Sequence, residues 1–328
     1  MSNIAVSIII PIYKVENYIE RCVRSLFEQT LASIEYIFVD DCSPDQSTTI
    51  LHQLIKEYET KTLSVKIITH QQNKGLPSAR NSGLAVATGE YIFHCDSDDW
   101  LEKDAMEKMF QTAQTCKADI VWSDWFLSFR NNERYMQQKG KETPTDCIKA
   151  MLSGRMKYNV WNKLVKRNLY IDNQISFPDG FGMGEDMTMI QLFSFAGKVC
   201  YIPVALYHYV QLNTGSFTKT ASETYLLQIL HNANRTIEFI QNRYGDDLEK
   251  YLHFFKLNIK LPFLITNDTD SYRRWLEWYP ESNVYINQNK MFSCRIRFIQ
   301  RAALKRQFWI VRLYYYFVIK IMYGVLYK

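Results

Sequence analysis

The sequence predicts an α/β fold: a Rossmann-like, mostly parallel sheet flanked by helices, followed by a helical C-terminal extension. Three observations lead to it. Short apolar runs alternate with helix-length amphipathic patterns over the first 122 residues, as βαβ crossovers require. The runs are β-branched and apolar at nearly every position, as in strands buried on both faces. Residues 221–265 then read as helices rather than strands.

The first strand is assigned to 4–12 (IAVSIIIPI) and the first helix to 16–30, where Tyr18, Ile19, Cys22, Val23, Leu26 and Phe27 form one stripe. The second strand, 34–40, ends at Asp40-Asp41; Ser43 or Asp45 then signals a helix over 45–58. A third strand, 63–69, precedes a helix over 76–87 with Pro77 in its first turn. The fourth, 90–95, runs into Asp96-Ser97-Asp98-Asp99, a helix begins near Asp104, and the fifth strand covers 118–122. Polar Arg130–Thr143 reads as a loop, and Trp161, Asn162 and Lys163 as the opening of a helix that contacts acceptor or phosphate, or simply packs. A Gly-rich stretch (177–187), a helical run from Met187 to Phe195 and two strands near 199–211 complete a catalytic domain over 1–215. Residues 216–290 form a helical extension and 291–328 a basic, aromatic tail.

With 47% hydrophobic and 22% charged residues the chain is globular. Its net charge of +5 conceals an asymmetry: 291–328 holds eight basic and no acidic residues, whereas 1–290 holds 31 basic and 34 acidic ones. Seven cysteines without a Cys-x-x-Cys pair point to reduced thiols and a cytoplasmic setting. Ile4–Ile10 has no basic leader before it, so no signal peptide is expected, and Arg312 and Lys320 interrupt the apolar tail, so no ordinary membrane-spanning helix is either.

Ligands of parallel sheets bind beyond the carboxyl ends of the strands. The sequence puts Asp40-Asp41 and Asp96-Ser97-Asp98-Asp99 there, with Lys74-Gly75 and Arg80-Asn81 at the same edge. Clustered carboxylates repel one another unless a cation intervenes, and all-oxygen donors suit Mg2+ or Mn2+ bridging to a phosphorylated ligand. The plainer alternative is that Asp98 and Asp99 solvate a turn and cap the next helix. No GxxxxGK[ST] occurs, and the first strand ends in Pro-Ile-Tyr rather than a GxGxxG turn, so no glycine cradle holds the phosphates. Glu185-Asp186 either caps the helix behind it or supplies a general base. His208, between Tyr207 and Tyr209 and upstream of Ser216, is either a core histidine or a ligand. His70, His94, His231, Cys42 and Cys95 read as structural.

Five segments in this order, VSIIIPIYKVENY (6–18), FVDDCSPDQS (38–47), NKGLPSARNSGL (73–84), GEYIFHCDSDDW (89–100) and GMGEDM (182–187), make residues 4–215 resemble family 2 glycosyltransferases of the GT-A fold, of the bacterial surface-polysaccharide type. The resemblance implies inverting transfer of a sugar, commonly UDP-linked, from a nucleotide diphosphate to an acceptor hydroxyl, with Mn2+ or Mg2+ on the diphosphate. It implies that Pro11, Tyr13 and Glu16 line the nucleotide pocket, Asp41 reads the base and Arg80 lies near the nucleotide or diphosphate. Asp96 and Ser97 belong to the donor site, Asp96 facing ribose or a metal-bound water. Asp98 binds the metal, to which His208 is a further candidate ligand. Asp186 is the general base. The family more often carries Gly where this chain has Cys42.

A sugar-phosphate nucleotidyltransferase would need a glycine-rich basic loop that VSIIIPIYKVENY lacks, and a noncatalytic membrane-associated scaffold would have no need of Asp41, Asp98 and Asp186. In the tail, Arg295, Arg297, Arg301, Lys305, Arg306 and Arg312 alternate with Phe298, Phe308, Trp309 and Tyr314–Phe317. This suits an anionic membrane surface at the cytoplasmic face, and with it a lipid-linked saccharide acceptor. The competing expectation is a helix pair packed on the protein. No RNA-binding motif accompanies the basic residues, so no nucleic-acid partner is expected.

Overall fold

The computed structural model describes residues 4–139, 143–212 and 223–317. Ser216, Lys320 and the end of the tail lie outside them. The chain forms two compact units, residues 1–147 with 158–232, and residues 148–157 with 233–328.

The first unit is a nine-stranded sheet with helices. In chain order its elements are β1 (Val6–Ile12), α1 (Ile19–Phe27), β2 (Ile34–Asp40), α2 (Ser47–Glu57), β3 (Ser64–Thr69), α3 (Leu76–Val86), β4 (Tyr91–His94), β5 (Trp100–Leu101), α4 (Ala105–Cys116), β6 (Ile120–Ser128) and β7 (Glu133–Met136). After α5 (Pro144–Leu152) come β8 (Lys163–Lys166), α6 (Arg167–Asp172), α7 (Thr188–Phe195) and β9 (Val199–Val210). The strand order is β3-β2-β1-β4-β8-β6-β9-β5, with β7 added to β6.

The β3-β2-β1-β4 half is parallel, as expected. Its register sets Ile12 beside Asp40 and Asp40 beside Thr69, so the carboxyl ends share one edge. Ile8, Ile10 and Ile12 pack with the buried stripe of α1, Ile19, Cys22, Val23, Leu26 and Phe27. On α3, the Cβ that Gly83 lacks would fall 2.4 Å from the Ile9 side chain, so glycine lets this helix lie close on β1. That approach brings Arg80 in under the sheet edge.

The sheet is mostly parallel, as expected, and is mixed beyond β4, where β8 runs antiparallel to both β4 and β6. Four other expectations change. Residues 163–166, expected in a helix, are β8: Leu164 and Val165 are 0% and 1% exposed between two neighbours, and four residues are too few to show a period. The loop expected at Arg130–Thr143 contains β7, whose polar composition suits an exposed outer strand. β3 is half exposed because it ends the sheet, and the two strands expected near 199–211 are one, β9. Pro203 and Val204 lie opposite a register shift at Asp124, the kind of bulge that admits proline into a strand.

The second unit comprises the later parts of α5 and of α8 (Glu223–Tyr244), then α9 (Glu249–Lys260), α10 (Thr269–Glu277), α11 (Cys294–Leu304) and α12 (Phe308–Tyr314). Phe255, Leu257, Tyr272, Trp275, Ile299 and Val311 are among its buried apolar residues. Outward lie Phe298, Leu304, Trp309, Leu313 and Phe317, interspersed with exposed Arg295, Arg301, Lys305, Arg306 and Arg312. Arg301 and Lys305 line a hollow of about 200 Å³ with Phe298, Ala302 and Gln307. Among the described residues no helix is long and apolar enough to cross a membrane.

Candidate active site

Asp41 follows β2 and is 3% exposed. Its Oδ1 accepts the backbone N–H of Lys74 (2.8 Å) and lies 2.6 Å from His70 Nδ1, and its Oδ2 accepts the N–H of Gly75 (2.8 Å). Asp41 therefore shapes the turn leading into α3. Four lone-pair positions less these three partners leave Oδ2 room for one further donor. Cys42, next in the chain, has φ +58°, a left-handed conformation that glycine adopts without steric penalty.

Pro11 is buried in β1, and Tyr13 (39% exposed) and Glu16 lie open just past its end. The loop they occupy is tied to the start of α2. Backbone N–H groups of Lys14, Val15 and Glu16 donate to Ser43 Oγ, Ser47 Oγ and Asp45 Oδ2 at 2.8–3.0 Å, and Glu16 Oε2 accepts the N–H of Gln46 (3.0 Å). Burial works against the Asp45 carboxylate, yet hydrogen bonds from Ser47, Ser43 and backbone groups hold it below its ordinary range.

The turn after β4 carries four polar side chains with different settings. Asp96 and Asp98 are partly exposed, whereas Ser97 and Asp99 are buried. Asp99 accepts from Tyr207 Oη (2.7 Å) and the N–H of Val210 (2.7 Å), binding the turn to β9. Burial, with Asp98 and Asp96 adding repulsion, pushes its carboxyl well above the usual range, against the two hydrogen bonds that favour the charged form; Asp99 anchors the turn. Asp96 and Asp98 present carboxylate oxygens, the donors Mg2+ and Mn2+ take when substrate phosphates complete their shell, and the pair fits such an ion. Among the described residues no group of three or more His, Cys, Asp and Glu converges as a self-sufficient metal centre.

Across from this turn stands the Glu185-Asp186 pair, in a 3-10 turn leading into α7. Gly184 before it has φ +86°. Arg80, 1% exposed, joins the two sides: its Nη2 donates to Asp96 Oδ1 (3.0 Å) and lies 3.7 Å from Glu185 Oε1. The guanidinium thus sits beneath the acids. Burial and the Asp186 charge push Glu185 well above the carboxylate range. Asp186 is pushed by burial up to about 6, with Asp96 adding to the rise while Arg80, Lys163 and the N–H of Val160 oppose it. Both adjacent carboxyls are thereby raised above their ordinary range, with Arg80 opposing the rise in each. Asp186 Oδ1 is buried with no hydrogen-bond partner, and Arg80 Nε and Nη1 are likewise unpartnered. Such vacant hydrogen-bonding capacity is rare among buried groups and calls for a partner.

Further side chains brace this loop. Asn81 exchanges hydrogen bonds with the backbone of Phe177 (2.9 Å each way), and Ser78 and Asn81 both donate to Asp179 Oδ1. Asn232 donates to the carbonyls of Phe181 and Met183, and His231 stacks on Phe181 at 3.6 Å. Trp161 packs on Tyr207 and Tyr209. His208 is not positioned as a metal ligand. Its ring lies between Trp100 (3.3 Å) and Phe126 (4.7 Å), with Nε2 2.9 Å from Glu102 and Nδ1 2.8 Å from Glu133, so both nitrogens are engaged.

Comparison with known proteins matches this arrangement. The profile of "Glycosyl transferase family 2" covers residues 7–188. The putative glycosyltransferase EpsH of Bacillus subtilis is 36% identical over 220 residues, spanning 64% of this chain and 61% of EpsH. The poly(ribitol-phosphate) β-N-acetylglucosaminyltransferase TarS of Staphylococcus aureus is 27% identical over 66% of this chain and 37% of its own. The crystal structure of TarS residues 1–349 with UDP-GlcNAc superposes with a TM-score of 0.70 at 20% identity, covering 95% of this chain and 91% of that one. The mannosyltransferase PcManGT of Pyrobaculum calidifontis, crystallised with GDP-Man and Mn2+, follows at 0.51 and 14%, over 94% and 88% of the two chains. With a profile match over more than half its length and a GT-A fold, this chain belongs to glycosyl transferase family 2.

Proposed function

We propose that this glycosyltransferase transfers a sugar from a nucleotide diphosphate, UDP-linked in the first instance, to an acceptor hydroxyl with inversion. The observation that carries this reading is Asp186: a carboxylate with one buried, unpartnered oxygen, linked through Arg80 and Glu185 to the Asp96 side of the cleft. An acceptor alcohol becomes a competent nucleophile only as it loses its proton, and Asp186 is placed to take it. Attack from the face opposite the leaving diphosphate inverts the anomeric carbon. Tyr13, Glu16 and the remaining acceptor position of Asp41 define the nucleoside end, with Pro11 beneath them. Asp96, Ser97 and Asp98 define the diphosphate end. Asp98 and Asp96 would hold a divalent ion, which supplies positive charge for the departing diphosphate. Arg80 keeps Asp96 and Glu185 in position, acting on the donor through Asp96.

The crystal structure of TarS with UDP-GlcNAc supports the donor class, and that enzyme's name, poly(ribitol-phosphate) β-N-acetylglucosaminyltransferase, supports a polymer as acceptor. The exposed aromatic and basic side chains of α11 and α12 favour peripheral attachment of 291–328 to an anionic membrane, at the cytoplasmic face. Thermal-shift screening of nucleotide sugars with and without Mn2+ tests the donor assignment: UDP-sugars should stabilise the protein, Asp98→Ala should remove the metal-dependent part, and Asp186→Asn should retain binding while transfer collapses. Unchanged transfer by Asp186→Asn would eliminate the proposed base.

A further inference from the structure

Strand β3 ends at Thr69, and the next residue carries the parallel ladder one step further: the His70 N–H donates to the carbonyl of Asp40 (2.8 Å). This places the His70 side chain beside Asp41, where the residue is 6% exposed. An ionised carboxylate only accepts, so the 2.6 Å contact between His70 Nδ1 and Asp41 Oδ1 is an N–H donated by the ring. On the far side Nε2 lies 2.8 Å from Ser82 Oγ on α3, and in a singly protonated ring that nitrogen accepts the Ser82 hydroxyl. Both ring nitrogens are committed, and the ring cannot turn without breaking both bonds.

His70 and the Lys74 N–H together fill Oδ1, while the Gly75 N–H takes one position on Oδ2. The vacant acceptor position of Asp41 thereby has a fixed direction. Lys74 and Gly75 act through the backbone of the turn, whereas His70 ties the carboxylate to α3, the helix whose Arg80 holds Asp96.

We infer that His70 is a positioning residue for nucleobase specificity: it aims the vacant acceptor of Asp41 at the N3–H of uracil and so excludes cytosine, which presents an N3 lone pair at that place. The inference rests on Asp41 reading the base. A carboxylate free to swivel could take the exocyclic N4–H2 of cytosine instead, so losing His70 relaxes the choice between the two bases more than it weakens nucleotide binding as a whole.

Binding of UDP and of CDP, each with Mg2+, is measured by titration calorimetry, and turnover by hydrolysis of UDP-GlcNAc. His70→Phe keeps a ring and removes both bonds, whereas His70→Asn keeps a donor at the place of Nδ1. In His70→Phe the preference for UDP over CDP should fall about tenfold, with KM for UDP-GlcNAc rising by a similar factor and kcat staying within about threefold of the parent. His70→Asn should restore the preference to within about threefold of the parent. A role in folding alone would weaken UDP and CDP alike. Ser82→Ala leaves the ring in place and frees only its far end, and it carries the test if His70→Phe does not fold: its preference should fall about two- to threefold. A parental UDP/CDP ratio in His70→Phe, or in Ser82→Ala where His70→Phe does not fold, overturns the role of His70, as does an equal fall in His70→Asn. Asp41→Ala with a parental ratio would instead overturn the reading of the base by Asp41, and the inference with it.

Discussion

Replacing Asp186 by Asn should stabilise the fold while abolishing transfer. An aspartate ordinarily titrates near 3.8, and in the folded protein Asp186 is pushed up to about 6. The folded state therefore binds this proton more tightly than the unfolded chain does, and keeping Asp186 ionised above pH 6 opposes folding. A difference of about two pH units corresponds to about 3 kcal/mol. Asparagine removes that penalty. The gain should be full above pH 6, shrink between pH 6 and 4, and vanish below, when parental Asp186 is protonated in both states. Urea unfolding at pH 7.5 and 4.5 measures it. Activity moves the opposite way, with transfer falling roughly 10²- to 10⁴-fold for loss of a general base. In the parent, the ionised fraction falls from about 90% at pH 7 to about 10% at pH 5, so kcat/KM should drop about tenfold over that interval. An aspartate at its ordinary value would leave the rate flat there. An Asp186→Asn protein no more stable than its parent at pH 7.5, or a parental rate unaffected between pH 7 and 5, would refute the reasoning.

Other substitutions probe the frame around the base. Cys42→Gly relieves a left-handed residue and should raise stability by roughly 1 kcal/mol in denaturant unfolding, a loss meaning that the thiol makes compensating contacts. Asp99→Ala leaves the Tyr207 hydroxyl and Val210 N–H without their acceptor and should cost roughly 2–4 kcal/mol, whereas Asp99→Asn, which keeps an acceptor oxygen and carries no charge into the buried site, should cost less than half of that in the same experiment. For the tail, replacing Arg301, Lys305 and Arg306 together by Gln should weaken binding to vesicles containing anionic lipid on the order of 100-fold, at about 1 kcal/mol for each charge. Sedimentation at low and high salt measures this, and salt-insensitive binding would remove the electrostatic account.

The donor half of the fold was legible because its chemistry is local. Hydrophobic runs end in acids, and the parallel register of β1, β2, β3 and β4 carries those ends to one edge. Asp186 was legible for a similar reason, lying between flexible glycines and a helix. What stayed hidden depends on partners distant in the chain. Asp98 and Asp99 look alike in sequence, and only Tyr207 and Val210, more than a hundred residues on, make Asp99 an anchor. Lys163 sits in a run too short for helix and strand to differ in pattern, so β8 could not be read beforehand. His208 looked like a candidate ligand until Glu102 and Glu133 were seen to occupy both ring nitrogens.

Consecutive side chains of α3, Arg80 and Asn81, grip opposite walls of the cleft, one through Asp96 and the other through Phe177 and Asp179. The turn after β4 and the segment before Gly180 are therefore fastened to one helix, and tilting or sliding it would displace both at once. In the proposed reaction, a change of acceptor preference would then fall to segments that α3 does not hold.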